Sequence, residues 1–199
     1  DAIIPENTSR RTKRIEYAVF VETLDHYIGQ LLDGLGDTGV KDSTMVVFLS
    51  DNGGHPEFVS NNPLRGSKWN LYEGGIRVPM FVRWPGKVSG GSVNDDPVVG
   101  YDLFPTFLEV CGMNLEKEYV DGISLLPLFK EDNKLIDRPL YWHFPYYHPE
   151  GKKFGDAMNL IGIDDFAVSQ TRPHSAIRHG DYKLLYFEED NRTELYYLL

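Results

Sequence analysis

Thr44-Met45-Val46-Val47-Phe48-Leu49-Ser50-Asp51-Asn52-Gly53-Gly54 runs from an uninterrupted β-forming stretch straight into turn-formers. A strand without polar alternation is suited to cover on both faces, so 44–49 predicts a buried strand that ends in a sharp, oxygen-rich turn. Upstream, Val19, Phe20, Leu24, Tyr27, Ile28, Leu31, Leu32 and Leu35 recur at spacings of three and four, which predicts an amphipathic helix over 15–35 stopped by Gly36 and Gly39. A helix feeding a buried strand is half of an α/β crossover unit. Ahead of that helix, the polar stretch before Lys13 reads as a lead-in loop with a basic cluster at Arg10, Arg11, Lys13 and Arg14.

Working downstream, Arg77-Val78-Pro79-Met80-Phe81-Val82-Arg83-Trp84 predicts a second strand, closed by Pro85-Gly86. A second helix is expected over 101–110, with Asp102 near its start and Gly112 at its end. Past Asp121 the texture changes. Pro127, Pro139, Pro145, Pro149 and Pro173 break the chain into short pieces, and the tail alternates as strands do over 175–178, 182–187 and 193–198. The last two strands flank a turn-like 188–192, which predicts an antiparallel hairpin. The expected fold class is therefore α/β, divided into the end of an α/β domain over 1–133 and a small antiparallel sheet over 134–199.

Bulk properties narrow the function. The 199 residues are 41% hydrophobic and 25% charged, the balance of a soluble globular protein. A formal net charge of -10 opposes any broad polyanion-binding surface, so nucleic acid is not an expected partner. No apolar run approaches the roughly 18 residues of a membrane span. Cys111, alone in the sequence, forms no internal disulfide and reads as a buried small hydrophobe. A chain that opens on Asp1 rather than Met reads as processed or as a piece of a longer protein.

Asp51 and Asn52 offer hard oxygen ligands for Ca²⁺ or Mg²⁺, and Gly53-Gly54 lets the backbone turn tightly beside an ion. The same tetrad is equally good Asx-turn chemistry, and the residues alone leave both readings open. Seventeen residues on, Lys68 lies among Gly66, Ser67 and Trp69, where an ammonium can meet an oxyanion as a compact point charge. Glu73 and Arg77, four apart, are expected to form a structural ion pair holding that loop. His55 reads as a loop histidine. The aromatic segment Tyr141-Trp142-His143-Phe144-Pro145-Tyr146-Tyr147-His148 reads either as packing between the sheet and the main domain or as the edge of a substrate pocket. His174 and His179 receive no functional role.

The ordered series Leu24-Asp25, Val46-Val47-Phe48, Ser50-Asp51-Asn52-Gly53-Gly54, Leu64-Arg65-Gly66-Ser67-Lys68-Trp69, Tyr72-Glu73-Gly74-Gly75-Ile76-Arg77-Val78-Pro79 and Asp102-Leu103-Phe104-Pro105-Thr106 resembles the C-terminal half of the type I, formylglycine-dependent sulfatases. The arylsulfatase B-like branch with its bacterial carbohydrate sulfatases is the most similar. Asp121-Gly122-Ile123-Ser124-Leu125-Leu126-Pro127, Arg138 to His143 and Ala176 to Leu184 extend the likeness over nearly the whole chain from Ile15. The resemblance implies an alkaline-phosphatase-like fold, Asp51 and Asn52 as two ligands of a Ca²⁺ ion, and Lys68 in contact with sulfate. It also implies sulfate ester hydrolysis, of a sulfated carbohydrate or an aryl sulfate, in a periplasmic, secreted or lysosomal setting. In similar bacterial enzymes the C-terminal subdomain edges the substrate pocket, which makes His143 and His148 candidate sugar contacts or leaving-group acids.

One part of the family pattern is absent. The formylglycine arises from a C/S-x-P-x-R run, and no such run occurs here: Cys111 is followed by Gly112-Met113-Asn114. The nucleophile, the remaining acidic ligands and the catalytic histidine are expected from an N-terminal half, which becomes an obligatory partner. Two rivals remain: a phosphodiesterase or phosphonate hydrolase of the same superfamily, and a non-catalytic domain that binds sulfated glycans.

Overall fold

A computed structural model describes residues 8–55, 58–113, 120–130, 134–147 and 172–198. Helix α1 spans Thr8–Asp37. It starts earlier than its hydrophobic pattern does, so the basic cluster expected in a lead-in loop lies instead on its first turns; Arg and Lys are good helix formers and extend the helix without needing an apolar face. Strand β1 (Val46–Leu49) pairs antiparallel with β2 (Met80–Arg83), setting Phe48 opposite Phe81. The short helix α2 (Glu73–Ile76) lies between them in sequence, and α3 (Leu103–Val110) follows.

A second sheet holds β3 (Leu140–Phe144), β4 (His174–His179), β5 (Tyr182–Phe187) and β6 (Arg192–Tyr197), antiparallel throughout and ordered as in the chain. The expected hairpin is β5–β6. Strand β3 was not foreseen, although Leu140-Tyr141-Trp142-His143-Phe144 alternates buried and accessible positions between two prolines. Alternation and register place Trp142, Phe144, His174, Ala176, Lys183, Leu185, Phe187 and Tyr196 on one face. That face packs on Leu71 and Tyr72, and there lies the main apolar core.

Asp102, fully buried, joins the rest. Its carboxylate accepts the backbone N–H groups of Val99 (2.9 Å) and Ile123 (3.0 Å) and meets the Arg138 guanidinium at 2.5 Å. Thr106 extends the knot by donating to the Asp102 carbonyl and accepting from the Leu125 N–H. The helix 103–110, the segment 120–130 and the approach to β3 are thereby tied to one carboxylate.

Two expectations about burial fail. Cys111 is exposed, in the turn where Gly112 takes a left-handed φ of 72° and leads the chain away from the core. Strand β1 is not covered on both faces: Val46 and Val47 are half-buried, while Phe48 and Leu49 are exposed. Its one ladder partner among the described residues is β2, and no layer of described residues lies over Phe48 and Phe81. Along α1, Val19, Phe20, Leu24, Tyr27 and Leu31 are likewise exposed. The apolar pattern is real, but its cover is absent from the described residues.

The loop between β1 and β2 packs backbone on backbone. Gly53 donates its N–H to the Gly75 carbonyl at 2.8 Å. A Cβ on Gly53 would fall 1.8 Å from the Gly74 oxygen, one on Gly74 2.3 Å from the Gly66 oxygen, and one on Gly75 2.0 Å from the Asn70 oxygen. All three contacts are with main chain, which cannot rotate aside.

Two outcomes are expected. Gly75→Ala should destabilise the protein by about 3 kcal/mol or more in urea melts, whereas Gly34→Ala, with open space in α1, should stabilise by about 0.5–1 kcal/mol. The isolated chain should self-associate and bind a hydrophobic dye through the α1 and β1–β2 surfaces; light scattering showing a compact monomer that leaves the dye dark would contradict this.

Candidate functional site

The turn at the end of β1 spends part of its polar inventory on itself. Asp51 Oδ1 accepts the Asn52 N–H at 3.0 Å, Asn52 Nδ2 donates to the Gly53 carbonyl at 3.0 Å, and Ser50 Oγ donates to the Asn52 carbonyl at 3.0 Å. The Asx-turn reading is therefore satisfied. It leaves Asp51 Oδ2 and Asn52 Oδ1 without a hydrogen-bond donor among the described residues, and Asp51 is exposed. Two hard oxygens suit part of a Ca²⁺ or Mg²⁺ site, which takes about six to eight oxygens for Ca²⁺. Among the described residues no group of three or more His, Cys, Asp or Glu side chains comes together, so these two donors require others.

Lys68 is brought to this turn through its main chain, its N–H donating to the Gly54 carbonyl at 3.1 Å. Asn61 splices the same two stretches: its Oδ1 accepts the Gly54 N–H at 2.9 Å, and its Nδ2 donates to the carbonyls of Gly54 and Gly66 at 3.1 and 3.2 Å. The Lys68 ammonium stands 5.7 Å from the Trp69 ring centroid, half-buried, with no carboxylate in salt-bridge range among the described residues. His55 fits between Phe58 and Trp69, with ring centroids 4.8 and 4.7 Å away, which makes it packing for the Lys68 turn.

The second sheet fastens this loop from the other side. Glu73 Oε1 accepts the Lys183 ammonium at 2.6 Å, and Arg178 approaches Glu73 Oε2 at 3.8 Å. Burial depresses the Lys183 pKa, and the Glu73 carboxylate counters it by favouring the charged form. The expected Glu73–Arg77 side-chain pair is thus corrected: α2 ends at Ile76, Arg77 is extended, and its bond to Glu73 is main chain only, at 2.7 Å. Spacing by four aligns side chains only where the helix continues. Arg65 stacks on Tyr72 (4.4 Å) and donates to the Tyr196 hydroxyl, and Tyr72 donates to Glu194 at 2.8 Å. Burial pushes the Tyr72 phenol up to about 12, partly offset by Arg65, so it remains a donor. The Leu71 N–H donates to the buried His174 Nε2 at 2.9 Å.

Sequence reasoning missed His174 and Lys183. Both occupy inward positions of alternating strands, next to Ala176 and Leu185, and a cation or imidazole in such a register demands a buried partner. The structure does not bring His143 to Lys68. It alternates with Trp142 and Phe144, so it lies on the opposite face of the sheet, half-exposed, bonded to Ser175 Oγ at 2.9 Å and 3.5 Å from Glu188. His148 lies outside the described residues. No helix among the described residues is long and apolar enough to cross a membrane.

The family profile described as Sulfatase matches residues 5–113, and the one described as N-sulphoglucosamine sulphohydrolase, C-terminal, matches 67–163. A sulfatase of Formosa agariphila is 37% identical over 94% of this chain and 34% of its own length. Two solved structures share the fold at 24% identity. BT4656, in complex with its substrate D-glucosamine-2-N,6-O-disulfate, aligns over 89% of this chain and 32% of its own with a TM-score of 0.63. A phosphonate monoester hydrolase from Silicibacter pomeroyi aligns over 87% and 32% with a TM-score of 0.62. The chain thus spans about a third or less of the length of the curated relatives it matches. These alignments give an α/β, alkaline-phosphatase-like fold, and with a profile match over more than half of its residues the chain belongs to the sulfatase family.

Proposed function

We propose that this chain is the carboxy-terminal part of a sulfuric ester hydrolase in which Lys68 holds the sulfate of the substrate and Asp51 and Asn52 lend two oxygens to a Ca²⁺ or Mg²⁺ ion. The observation that carries the reading is the Lys68 N–H on the Gly54 carbonyl, which joins the cationic arm to the oxygen-bearing turn. Within this reading, residues 1–133 belong to the α/β domain and 134–199 form a subdomain that braces it.

The chain's own residues supply electrostatics and position. An ammonium beside an aromatic ring, with no carboxylate in salt-bridge range among the described residues, is available to a sulfate oxygen and offsets the negative charge on the sulfuryl group as the ester S–O bond breaks. Asp51 Oδ2 and Asn52 Oδ1 face no competing donor among the described residues, which leaves both able to ligate a hard cation. A divalent ion held there would neutralise sulfate oxygens. A formylglycine hydrate, contributed from an N-terminal half, would supply the attacking oxygen. The substrate class proposed is a sulfated carbohydrate, in keeping with the sulfated glucosamine bound by BT4656. His143, on the outer face, stands apart from this cluster and remains a proposed sugar contact.

Kinetics, substrate comparison and calorimetry test it. In the complete protein, Lys68→Ala should lower kcat/KM on a small aryl sulfate by about a hundredfold or more, and Lys68→Arg should restore only part, because a forked guanidinium cannot replace one point charge. A Lys68→Ala variant within about threefold of wild type would place the lysine outside the site. A matched phosphonate ester that turned over faster than the sulfate would favour the phosphonate hydrolase rival, and sulfated-glycan binding without sulfate release would favour the binding domain. Calorimetry on this chain by itself should show no tight Ca²⁺ binding, since two donors fall well short of about six; a submicromolar site would refute the shared-site reading.

A further inference from the structure

His174 stands within the core with 1% of its surface exposed, stacked on Phe187 at 5.4 Å with 8° between the ring planes. Its two nitrogens face partners of opposite kind. Nδ1 lies 2.5 Å from the Arg172 carbonyl, which can only accept, so Nδ1 carries the proton; Nε2 is then a bare lone pair, and it accepts the Leu71 N–H at 2.9 Å. A doubly protonated ring would set N–H against N–H, so the bond requires the neutral form, which burial favours.

What Leu71 ends is an unusual turn. Trp69, immediately after Lys68, has φ 76°, in the left-handed region that non-glycine residues rarely adopt. Such a conformation persists only where its surroundings over-determine it. On one side the Lys68 N–H holds the Gly54 carbonyl; within the turn, Ser67 and Asn70 bond each other; on the far side stands the imidazole.

We propose that His174 is a positioning residue for Lys68, its Nε2 pinning Leu71 so that the strained Lys68-Trp69 turn keeps the ammonium at the sulfate position. The proposal rests on the reading of Lys68 given above. An ångström of drift in a positioned cation is enough to cost a large part of its catalytic effect.

Two substitutions in the complete protein separate reach from mere polarity. His174→Gln carries its amide to where Nε2 stands and can still accept from Leu71; His174→Asn ends near Nδ1, keeps the Arg172 carbonyl within reach and cannot touch Leu71. With folding verified by thermal melting, the Asn variant should lose about twentyfold or more in kcat/KM on an aryl sulfate, chiefly in kcat, and the Gln variant should stay within about fivefold. Amide hydrogen exchange supplies a readout that needs no turnover: a peptide over 67–72 should exchange faster in the Asn variant and as in wild type in the Gln variant, with β5 still protected. Unchanged exchange at 67–72 in the Asn variant overturns the proposal, and so does faster exchange with full activity. A folded Gln variant that loses more than about tenfold also overturns it. A wild-type protein that releases no sulfate from any ester sinks the functional reading instead, while the exchange pattern still decides whether His174 pins the turn.

Discussion

The buried pair of Lys183 and Glu73 is the contact on which the rest depends. Lys183 reaches from β5 through the apolar face of the sheet, with its ammonium 5.7 Å from the Trp142 ring centroid, to a carboxylate at the start of α2. An ammonium out of water is costly and stays charged only because a carboxylate meets it at hydrogen-bond distance. Removing one member of such a pair typically costs about 3–5 kcal/mol, since the other is left buried and alone. The pair adds little net stability over an apolar replacement. Its effect is registration: a sheet or loop displaced by a few ångströms would leave both charges buried and unpaired.

Around that fixed point the loop is determined from two sides. Toward β1 it is held by main-chain contacts of Gly53, Gly74 and Gly75, packed too closely for a side chain to intervene, and by the Asn61 side chain on Gly54. Toward the second sheet its contacts are side chains on three successive strands: His174 on β4, Lys183 on β5, and Glu194 and Tyr196 on β6. Lys68 lies where these two sets of restraints meet. A chain with net charge -10 thus presents at Lys68 a cation with no carboxylate in salt-bridge range among the described residues, while Glu73 is engaged by Lys183 and Arg178.

The sequence was legible where chemistry is local. The apolar stretch ending in Asp51-Asn52-Gly53-Gly54 specifies strand and turn, and the ordered motifs carry the family resemblance. The β5–β6 hairpin followed from alternation and a polar turn. What stayed hidden was pairing at a distance: Leu71 with His174 and Glu73 with Lys183 lie over a hundred residues apart, and periodicity tells which face a residue occupies but not what it meets there. The aromatics of β3 fit packing and a pocket edge equally well, which hides its alternation, and the Glu73–Arg77 spacing pairs side chains only in a helix longer than the four residues of α2. The composition of β1 predicts cover on both faces, and the described residues supply only one neighbouring strand, which leaves Phe48 and Leu49 exposed.

The spread of the loop's anchors over three strands bears on how such proteins could be recombined. Between α3 and β3, among the described residues, no strand of either sheet is interrupted, and a chimera that joined the first part of one relative to the sheet of another there would keep the strands of each sheet together. It would nevertheless separate Arg65, Leu71, Tyr72 and Glu73 from the side chains that receive them. The units of inheritance therefore differ from the units of secondary structure: the cationic arm and the inner face of the sheet must travel together, and a graft that respects the strands but not those four contacts would deliver an intact sheet and a misplaced lysine.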